Sequence, residues 1–367
     1  MTTRRVGILA IAILGLSAGL SVYAASRALA PKPAALAAGQ LAPDAPLPTR
    51  VPPGVTLAIG DPTTEQVLKH TGWIRQLPFH VKWAEISGGP AVTEAFHAGV
   101  LDVGAVANIP PIHAIWVGIP VKMIAVRFRE NPTDHPSFEL AIAPKARIDS
   151  LKDLRGKRIA YSPGQIQGEI VQRALQSQGL TAKDVTLVEL PSPSADIYVN
   201  ALSGGLIDVA PIGSGAALKR YLDRFGRDGA KVLKSGVRDD FVTLYVPEAT
   251  LKDPGKAAAL RAYVKVWGRA QAWINGHPDE WAQVYYVTNQ GLSADDARYV
   301  VQANGKAELP RDWTEAIARQ QGSVSLMAEA TGRRPFNAAR LFDRRFETLS
   351  ADAFAQAGGG GRTFASR

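Results

Sequence analysis

The residues best placed to do chemistry in this chain are amides and glycines rather than acids and bases. Ser162-Pro163-Gly164-Gln165-Ile166-Gln167-Gly168 sets a hydroxyl and two carboxamides at a turn whose glycines keep side chains from crowding the approach. Pro163 fixes φ near −65° and Gly164 admits φ > 0, so the segment turns. Ile159, Ala160 and Tyr161 before it read as the end of a short buried strand. After it, Ile166, Ile170, Val171, Ala174 and Leu175 recur at helical spacing as far as Gly179, a suitable helix-ending glycine. The N–H groups that open such a helix lack intrahelical partners and sit at the partly positive end of its dipole. The chemistry is non-covalent: a corner that hydrogen-bonds a small anionic or strongly dipolar molecule. Any strand-to-helix loop shares this local pattern, so a binding role requires a second corner facing the first.

The chain supplies that second set. Gly60-Asp61-Pro62-Thr63-Thr64, Ser87-Gly88-Gly89-Pro90 and Ala107-Asn108-Ile109-Pro110 each follow an apolar strand pattern and precede a helical one, and Pro90 suits a first helical position. An internal echo points to two halves. Ala95-Phe-His-Ala-Gly-Val-Leu-Asp-Val103 matches Ala201-Leu-Ser-Gly-Gly-Leu-Ile-Asp-Val209 at a constant offset of 106. Both stretches join a helix to a strand through glycine, and each follows a turn-rich helix start, Ser87–Pro90 in one half and Pro191–Asp196 in the other. Asp102 and Asp208 are expected to satisfy nearby backbone donors.

Other chemistries find no support. The six histidines, at 70, 80, 97, 113, 135 and 277, contain no pair at i, i+4, which removes a zincin-type metal site. There is no Gly-x-Ser-x-Gly elbow; Gly213-Ser214-Gly215 lacks that spacing. Gly164–Gly168 is no phosphate loop, because Glu169 stands where lysine would be needed. With no cysteine, disulfides and thiolate chemistry are removed together. The net charge of +9 is modest, and +4 of it lies in the first 54 residues, where five basic residues face Asp44 alone. No basic run with interleaved aromatics follows, so nucleic acid is not an expected partner. No catalytic residue, metal ligand or cofactor is expected.

At the N-terminus Arg4-Arg5 precede the uncharged apolar stretch Val6–Ala25, which reads as a secretory signal peptide or, being long enough to span a bilayer, as an uncleaved membrane anchor. Residues 26–54, rich in Ala and Pro, are expected to form an extended spacer. Strands are expected at Val55–Ile59, Phe79–Glu85, Leu101–Val106, Val121–Phe128 and Phe138–Ala143. The polar segment Leu151–Lys157 marks the start of a second lobe. From Pro254 the pattern is helical over Ala257–Asn275, Pro278–Asn289, Ala294–Ala303 and Trp313–Thr331, with Trp267, Trp273, Trp281, Tyr285 and Tyr286 as packing residues. A disordered tail is expected over 351–367. Lobe one would comprise 55–141 and 236–350, and lobe two 142–235.

Several of these strings resemble the solute-binding proteins of ABC importers, of the aliphatic sulfonate, taurine and nitrate type related to the pyrimidine-binding NMT1/THI5-like family. They are Ser87-Gly-Gly-Pro90, Ala98-Gly-Val-Leu-Asp-Val103, Asn108-Ile-Pro110, Ser150-Leu-Lys-Asp-Leu-Arg-Gly-Lys157, Leu206-Ile-Asp208 and Leu341-Phe-Asp-Arg-Arg-Phe346. The resemblance spans about residues 55–350. It implies an α/β, two-lobed periplasmic binding protein type II fold with a central mixed sheet in each lobe. It places hinge crossings near Ala141–Pro144 and Lys234–Asp240 and packs the C-terminal helices on lobe one. The implied function is capture of a small anionic or polar, sulfonate-like solute between the lobes by hinge closure, in an exported monomer that docks on a membrane permease. Carried onto this sequence, the ligand-binding residues are Asp61, Thr63, Ser87, Gly88, Gly89, Asn108, Ile109, Ser162, Gly164, Gln165, Gln167, Asp196 and Tyr198. The chain departs from the family where sulfonate binders carry Gly-Ser and then His, having Ser162-Pro-Gly-Gln-Ile-Gln167, and it has Ala107-Asn-Ile-Pro110 where the family often has Gly-Asp-x-Pro. Glu169 is expected to compete with an anion for the helix end. A sensing subunit of a membrane receptor, or a binder of pyrimidine or thiamine precursors, is the alternative; an enzyme is disfavoured.

Overall fold

The computed structural model describes residues 39–86, 88–191 and 195–358. The first lobe opens as strand–helix repeats: β1 (Thr56–Gly60), α1 (Pro62–Thr71), β2 (His80–Trp83), α2 (Gly89–His97), β3 (Val103–Ala107), α3 (Ile109–Trp116) and β4 (Val121–Arg129). The chain then crosses to β5 (Phe138–Ile142), β6 (Arg158–Tyr161), α4 (Ile166–Ser177), β7 (Thr186–Glu189), α5 (Ala195–Ser203), β8 (Val209–Gly213), α6 (Ala216–Phe225) and β9 (Lys231–Leu233). It returns through β10 (Val242–Pro247), α7 (Glu248–Lys252), α8 (Pro254–Gly276), α9 (Pro278–Trp281), a π-helix (Ala282–Asn289), α10 (Ala294–Asn304), β11 (Ala307–Glu308), α11 (Thr314–Thr331) and α12 (Leu349–Gln356). Two mixed sheets result, β11-β4-β10-β3-β1-β2 and β7-β6-β8-β5-β9. In the first, β2, β1 and β3 run parallel and β10 runs antiparallel between β3 and β4. In the second, β7, β6 and β8 are parallel and β5 is antiparallel to β8. Parallel strands joined by covering helices bring the strand-end loops to one edge of each sheet.

The internal echo is structural. Asp102 accepts from the backbone N–H of Ala58 through its carboxylate (2.9 Å), while its own N–H donates to the Ala58 carbonyl (2.8 Å). Asp208 repeats both contacts with Arg158, each at 2.8 Å. Gly99 and Gly205 end the preceding helices at φ +68° and +69°, conformations that glycine adopts without a Cβ penalty. Each half therefore uses an aspartate to lock the strand after the turn to its parallel neighbour.

Three expectations need correction. The first crossing lies at 130–137 rather than near Ala141–Pro144, because β5 pairs with β8 and β9 and so belongs to lobe two. Residues 39–54 do not form a free spacer. Leu41 donates to the Lys252 carbonyl (2.8 Å), and Arg345 Nη1 reaches the carbonyls of Ala42 (3.3 Å) and Ala45 (2.9 Å). The expected tail is helical at its start: Ala351 and Phe354 of α12 are buried against α8. Gly268 permits that docking, since a Cβ there would overlap the Ser350 carbonyl oxygen. The proposed signal or anchor and residues 359–367 lie outside the described residues. Among the described residues no helix is long and apolar enough to cross a membrane.

Two adjacent carboxylates stitch the crossings. Asp239 accepts from the N–H groups of Ser137 (2.8 Å) and Phe138 (2.7 Å), where the chain enters lobe two. Asp240 accepts from Arg129 N (3.1 Å), where it leaves lobe one, and holds Arg319 (2.8 Å) and Arg238 (3.2 Å). Burial works against both charges, but Arg319 and Arg238 keep Asp240 below the usual carboxylate range, whereas Asp239 is pushed up to about 6. A raised native pKa contributes stability that is present below the unfolded value, near 4, and lost as pH climbs through 6. Relative to wild type, Asp239→Asn should therefore gain up to about 3 kcal/mol between pH 4 and 7, on top of a constant loss for the weakened backbone contacts. Urea midpoints for both proteins across that range check this; a pH-independent difference refutes it.

Candidate functional site

The corner between β6 and α4 is built by close packing. Gln165 is extended (φ −135°, ψ 166°) and caps α4, donating its N–H to the Ser162 carbonyl at 3.2 Å. A Cβ on Gly168 would lie 2.5 Å from the Ser162 carbonyl oxygen and 3.0 Å from Pro163 Cα, so this residue must be glycine for helix and turn to touch. Gly164, at the tip, faces lobe one: a Cβ there would meet the His113 ring of α3 at 3.5 Å. Burial, then the nearby charge of Arg333, pushes the His113 pKa down, which favours the neutral ring.

Lobe one presents its own corner to the same place. A Cβ built on Gly89, at the start of α2, would overlap Pro110 of α3 and lie 3.4 Å from the Gly164 carbonyl oxygen of lobe two. Gly88 takes φ +85° immediately before α2. Amide-rich turns from the two sheets thus converge, and Gly88, Gly89, Asn108, Gly164 and Gln165 gather around the junction. Ser162 and Gln167 are both buried beside it, and the Gln167 Oε1 has no hydrogen-bond partner among the described residues. Ser87 lies outside the described residues.

Other expected ligand contacts have structural work. Asp61 caps α1 through the Thr64 N–H (3.1 Å) and accepts from the Tyr263 hydroxyl (2.9 Å); burial pushes its pKa up. Burial raises the pKa of the Tyr285 hydroxyl, and the neighbouring Thr63 side chain acts against that rise. Ile109 is fully buried in the lobe-one core and Tyr198 in the lobe-two core, which places both apolar contacts in packing rather than at the junction. Asp196 sits in the first turn of α5.

A polar bridge joins the lobes behind the corners. Asn108 Nδ2 donates to Glu169 Oε2 of α4 (2.9 Å) and to Ser323 Oγ of α11 (3.1 Å). Ser323 Oγ donates to Glu169 Oε1 (2.5 Å), and Arg173 Nε pairs with the same oxygen (2.8 Å). Glu169 does not stand as a free negative charge at the helix end, as the sequence suggests; Arg173 and the hydrogen bonds from Asn108 and Ser323 compensate it. Gln320 Nε2 closes the group on the Asn108 carbonyl (2.8 Å).

Sequence reasoning missed the arginines of β4. Val242 of β10 pairs with both Ala107 and Arg127, so Arg127 stands one strand away from the Asn108 loop, at the sheet edge that also carries Asp61. Its Nη1 donates to Gln271 Oε1 (2.9 Å), and its Nε is buried without a partner among the described residues. Burial, then the like charge of Arg129, lowers its pKa to about 10, while Asp61 acts in the opposite sense. Arg129 Nη2 reaches Asn304 Oδ1 (3.2 Å), and the Asn304 amide donates to the Tyr286 hydroxyl (2.9 Å) on the π-helix. The period-two spacing of Arg127 and Arg129 within an apolar strand was the available signal: two cations on one face of a covered sheet.

Comparison with known proteins agrees with this architecture. The family model described as NMT1/THI5 like matches residues 67–281. An Escherichia coli (strain K12) protein, named provisionally as an aliphatic sulfonates-binding protein, is 28% identical over 156 residues, which are 42% of this chain and 46% of that protein. The chain thus matches about half the length of that curated relative. The crystal structure of the periplasmic aliphatic sulphonate binding protein SsuA from Escherichia coli superposes with a TM-score of 0.65 at 19% identity, over 79% of this chain and 92% of that one. The desulfurization enzyme DSZB shares the fold at a TM-score of 0.52 and 15% identity, over 81% of this chain and 99% of that one. At such identities the likeness establishes the two-lobed fold alone.

Proposed function

The chain belongs to the NMT1/THI5-like family, and on that premise we propose that it is the extracytoplasmic solute-binding component of an ABC importer. It captures a small anionic or polar organic solute, sulfonate-like in chemistry, by closing its two lobes around it. The observation that carries this reading is the meeting of the corners, with the Gly164 carbonyl of lobe two 3.4 Å from where a side chain on Gly89 of lobe one would begin. Backbone N–H groups at the starts of α2 and α4, with the Gln165 and Gln167 amides, supply donors from both sides. Arg127 contributes a cation at the same sheet edge, in a setting where burial strengthens its field. A micromolar Kd requires about 8 kcal/mol, within reach of several such hydrogen bonds once the lobes exclude water. No covalent step is involved, and closure pivots on the paired crossings.

The relative's name and the periplasmic setting of the SsuA structure support placement outside the cytoplasm, with residues 6–25 as the export signal or a tether. The closed monomer would then dock on a membrane permease. Calorimetric titration with short alkanesulfonates tests the reading. Saturable binding without turnover is expected, and Gln165→Ala with Gln167→Ala should weaken it severalfold or more while the thermal melt is preserved. Unchanged affinity in the double variant removes the β6–α4 corner from the site, and absence of binding to every anion tried refutes the proposal.

A further inference from the structure

Resting on the reading of the solute as an anion, we propose that His113 of lobe one meets the solute's acid group, its ring binding the anion together with a proton. The corners themselves offer neutral donors: the Ser162 hydroxyl, the Gln165 and Gln167 amides and backbone N–H groups. Glu169 beside them brings negative charge that Arg173 already balances. An anion enclosed there needs a counter-charge, and His113 is placed to supply one. It follows Pro110 by three residues and so shares that face of α3. A Cβ on Gly89 of α2 would overlap Pro110 and lie 3.4 Å from the Gly164 carbonyl oxygen, while a Cβ on Gly164 would lie 3.7 Å from His113 Nε2. One residue of lobe two thus touches the start of α2 and the imidazole together. The ring is half-buried, and no hydrogen bond or carboxylate acts on it.

The charges around the ring set how it responds. The β6–α4 corner brings none to it, because Glu169 is held by Arg173, Asn108 and Ser323. On α2, Glu94 and His97 are exposed, as is Glu329 near the end of α11. Arg333, in the turn after α11, is the charge that acts on the imidazole, and with burial it favours the neutral form. Its Nη1 donates to the Trp116 carbonyl (3.1 Å), which fixes it about one turn along α3 from His113. An anion against the ring acts in the opposite sense and raises its pKa. The bound form then has the higher pKa, so capture draws in a proton and affinity grows as pH falls. Alkanesulfonates stay ionised throughout this range, so such a dependence belongs to the protein.

Calorimetric titration of the full chain with ethanesulfonate, repeated from about pH 7.5 down to about 5.5, tests this. Wild type should bind about threefold or more tightly at the acid end, with proton uptake seen as a heat that varies with the buffer's ionisation enthalpy. His113→Gln should keep its thermal melt, bind more weakly at the acid end, and lose both the tightening and the uptake. Asp239, at about 6, titrates in the same range but remains in that variant, so the difference between the two proteins belongs to His113. Arg333→Gln removes the charge that opposes protonation and should move the rise in affinity to higher pH. A purely structural ring would not respond in that way. A wild-type Kd unchanged across the range, or a dependence that survives undiminished in His113→Gln, overturns the proposal while leaving solute capture intact. Failure of ethanesulfonate to bind at any pH removes the functional reading along with it.

Discussion

Glu169→Ala is expected to lower stability by about 2–4 kcal/mol and, without touching solute, to weaken solute capture about tenfold. The carboxylate is 3% exposed and receives Asn108, Ser323 and Arg173. Removing one partner of a buried pair normally costs about 3–5 kcal/mol because the other is stranded. Here Arg173, with 33% of its side chain exposed, recovers some hydration, which trims the figure. The functional effect follows from connectivity. Asn108 and Ser323 belong to lobe one and Glu169 to lobe two, so these hydrogen bonds break whenever α4 swings away from α3 and α11. Their loss shifts the population toward the open form, and about 1.4 kcal/mol of shift is tenfold in apparent affinity. Glu169→Gln, which retains an acceptor for Asn108 but not the charge facing Arg173, should fall between. Urea denaturation and calorimetric titration of both variants measure the two effects separately; a destabilised Glu169→Ala with wild-type affinity would show that the bridge holds the fold and not the closure.

How much of this was legible in the sequence depended on whether a feature is local. The β6–α4 corner was readable because Pro163 and the apolar period from Ile166 determine their own conformation over a few residues, although Gly164 does not take the positive φ that its residue type allows. The echo was readable for the same reason, and the contacts of Asp102 to Ala58 and of Asp208 to Arg158 give it the predicted backbone-satisfying role. The first crossing was misplaced because Phe138–Ile142 is an apolar strand that either sheet could accept; only its pairing with Pro211 and Val209 of β8 decides the matter. The docked start of the expected tail was hidden similarly. Its burial depends on Gly268, eighty-odd residues upstream, leaving room for the Ser350 carbonyl.

The site residues divide along the same line. Turn chemistry announced Gly88, Gly89, Gly164 and Gln165, but it could not tell that Asp61 is occupied by Tyr263, some two hundred residues away, or that Tyr198 points into a core. Glu169 shows the limit most clearly. Read locally, a carboxylate in the first turn of α4 opposes an anion; read with Arg173 and Ser323 in place, it is a fastening between lobes. Arg127 and Arg129 went unread because charge within a strand pattern looks like a solvated face until α8 and the π-helix are seen to cover it.

The two glycines of the corner, alike in sequence, should respond oppositely to the same methyl group. In Gly168→Ala the new Cβ would face the Ser162 carbonyl oxygen at 2.5 Å and Ser162 C at 3.1 Å, both backbone atoms of a turn fixed by Pro163. Neither can rotate aside, so α4 must move off β6, costing about 2–4 kcal/mol as overpacking against rigid neighbours. The displacement also carries the N–H groups of the α4 start away from lobe one, so solute affinity should fall at least tenfold even at temperatures where the variant remains folded. In Gly164→Ala the Cβ meets only the edge of the His113 ring, at 3.5–3.7 Å, an ordinary contact. Its stability should change by less than about 1 kcal/mol, in line with substitutions that create no clash. Thermal melts paired with alkanesulfonate titrations distinguish the two. Equal, small effects at both positions would mean that the strand-to-helix corner tolerates displacement and that its geometry is not what binds.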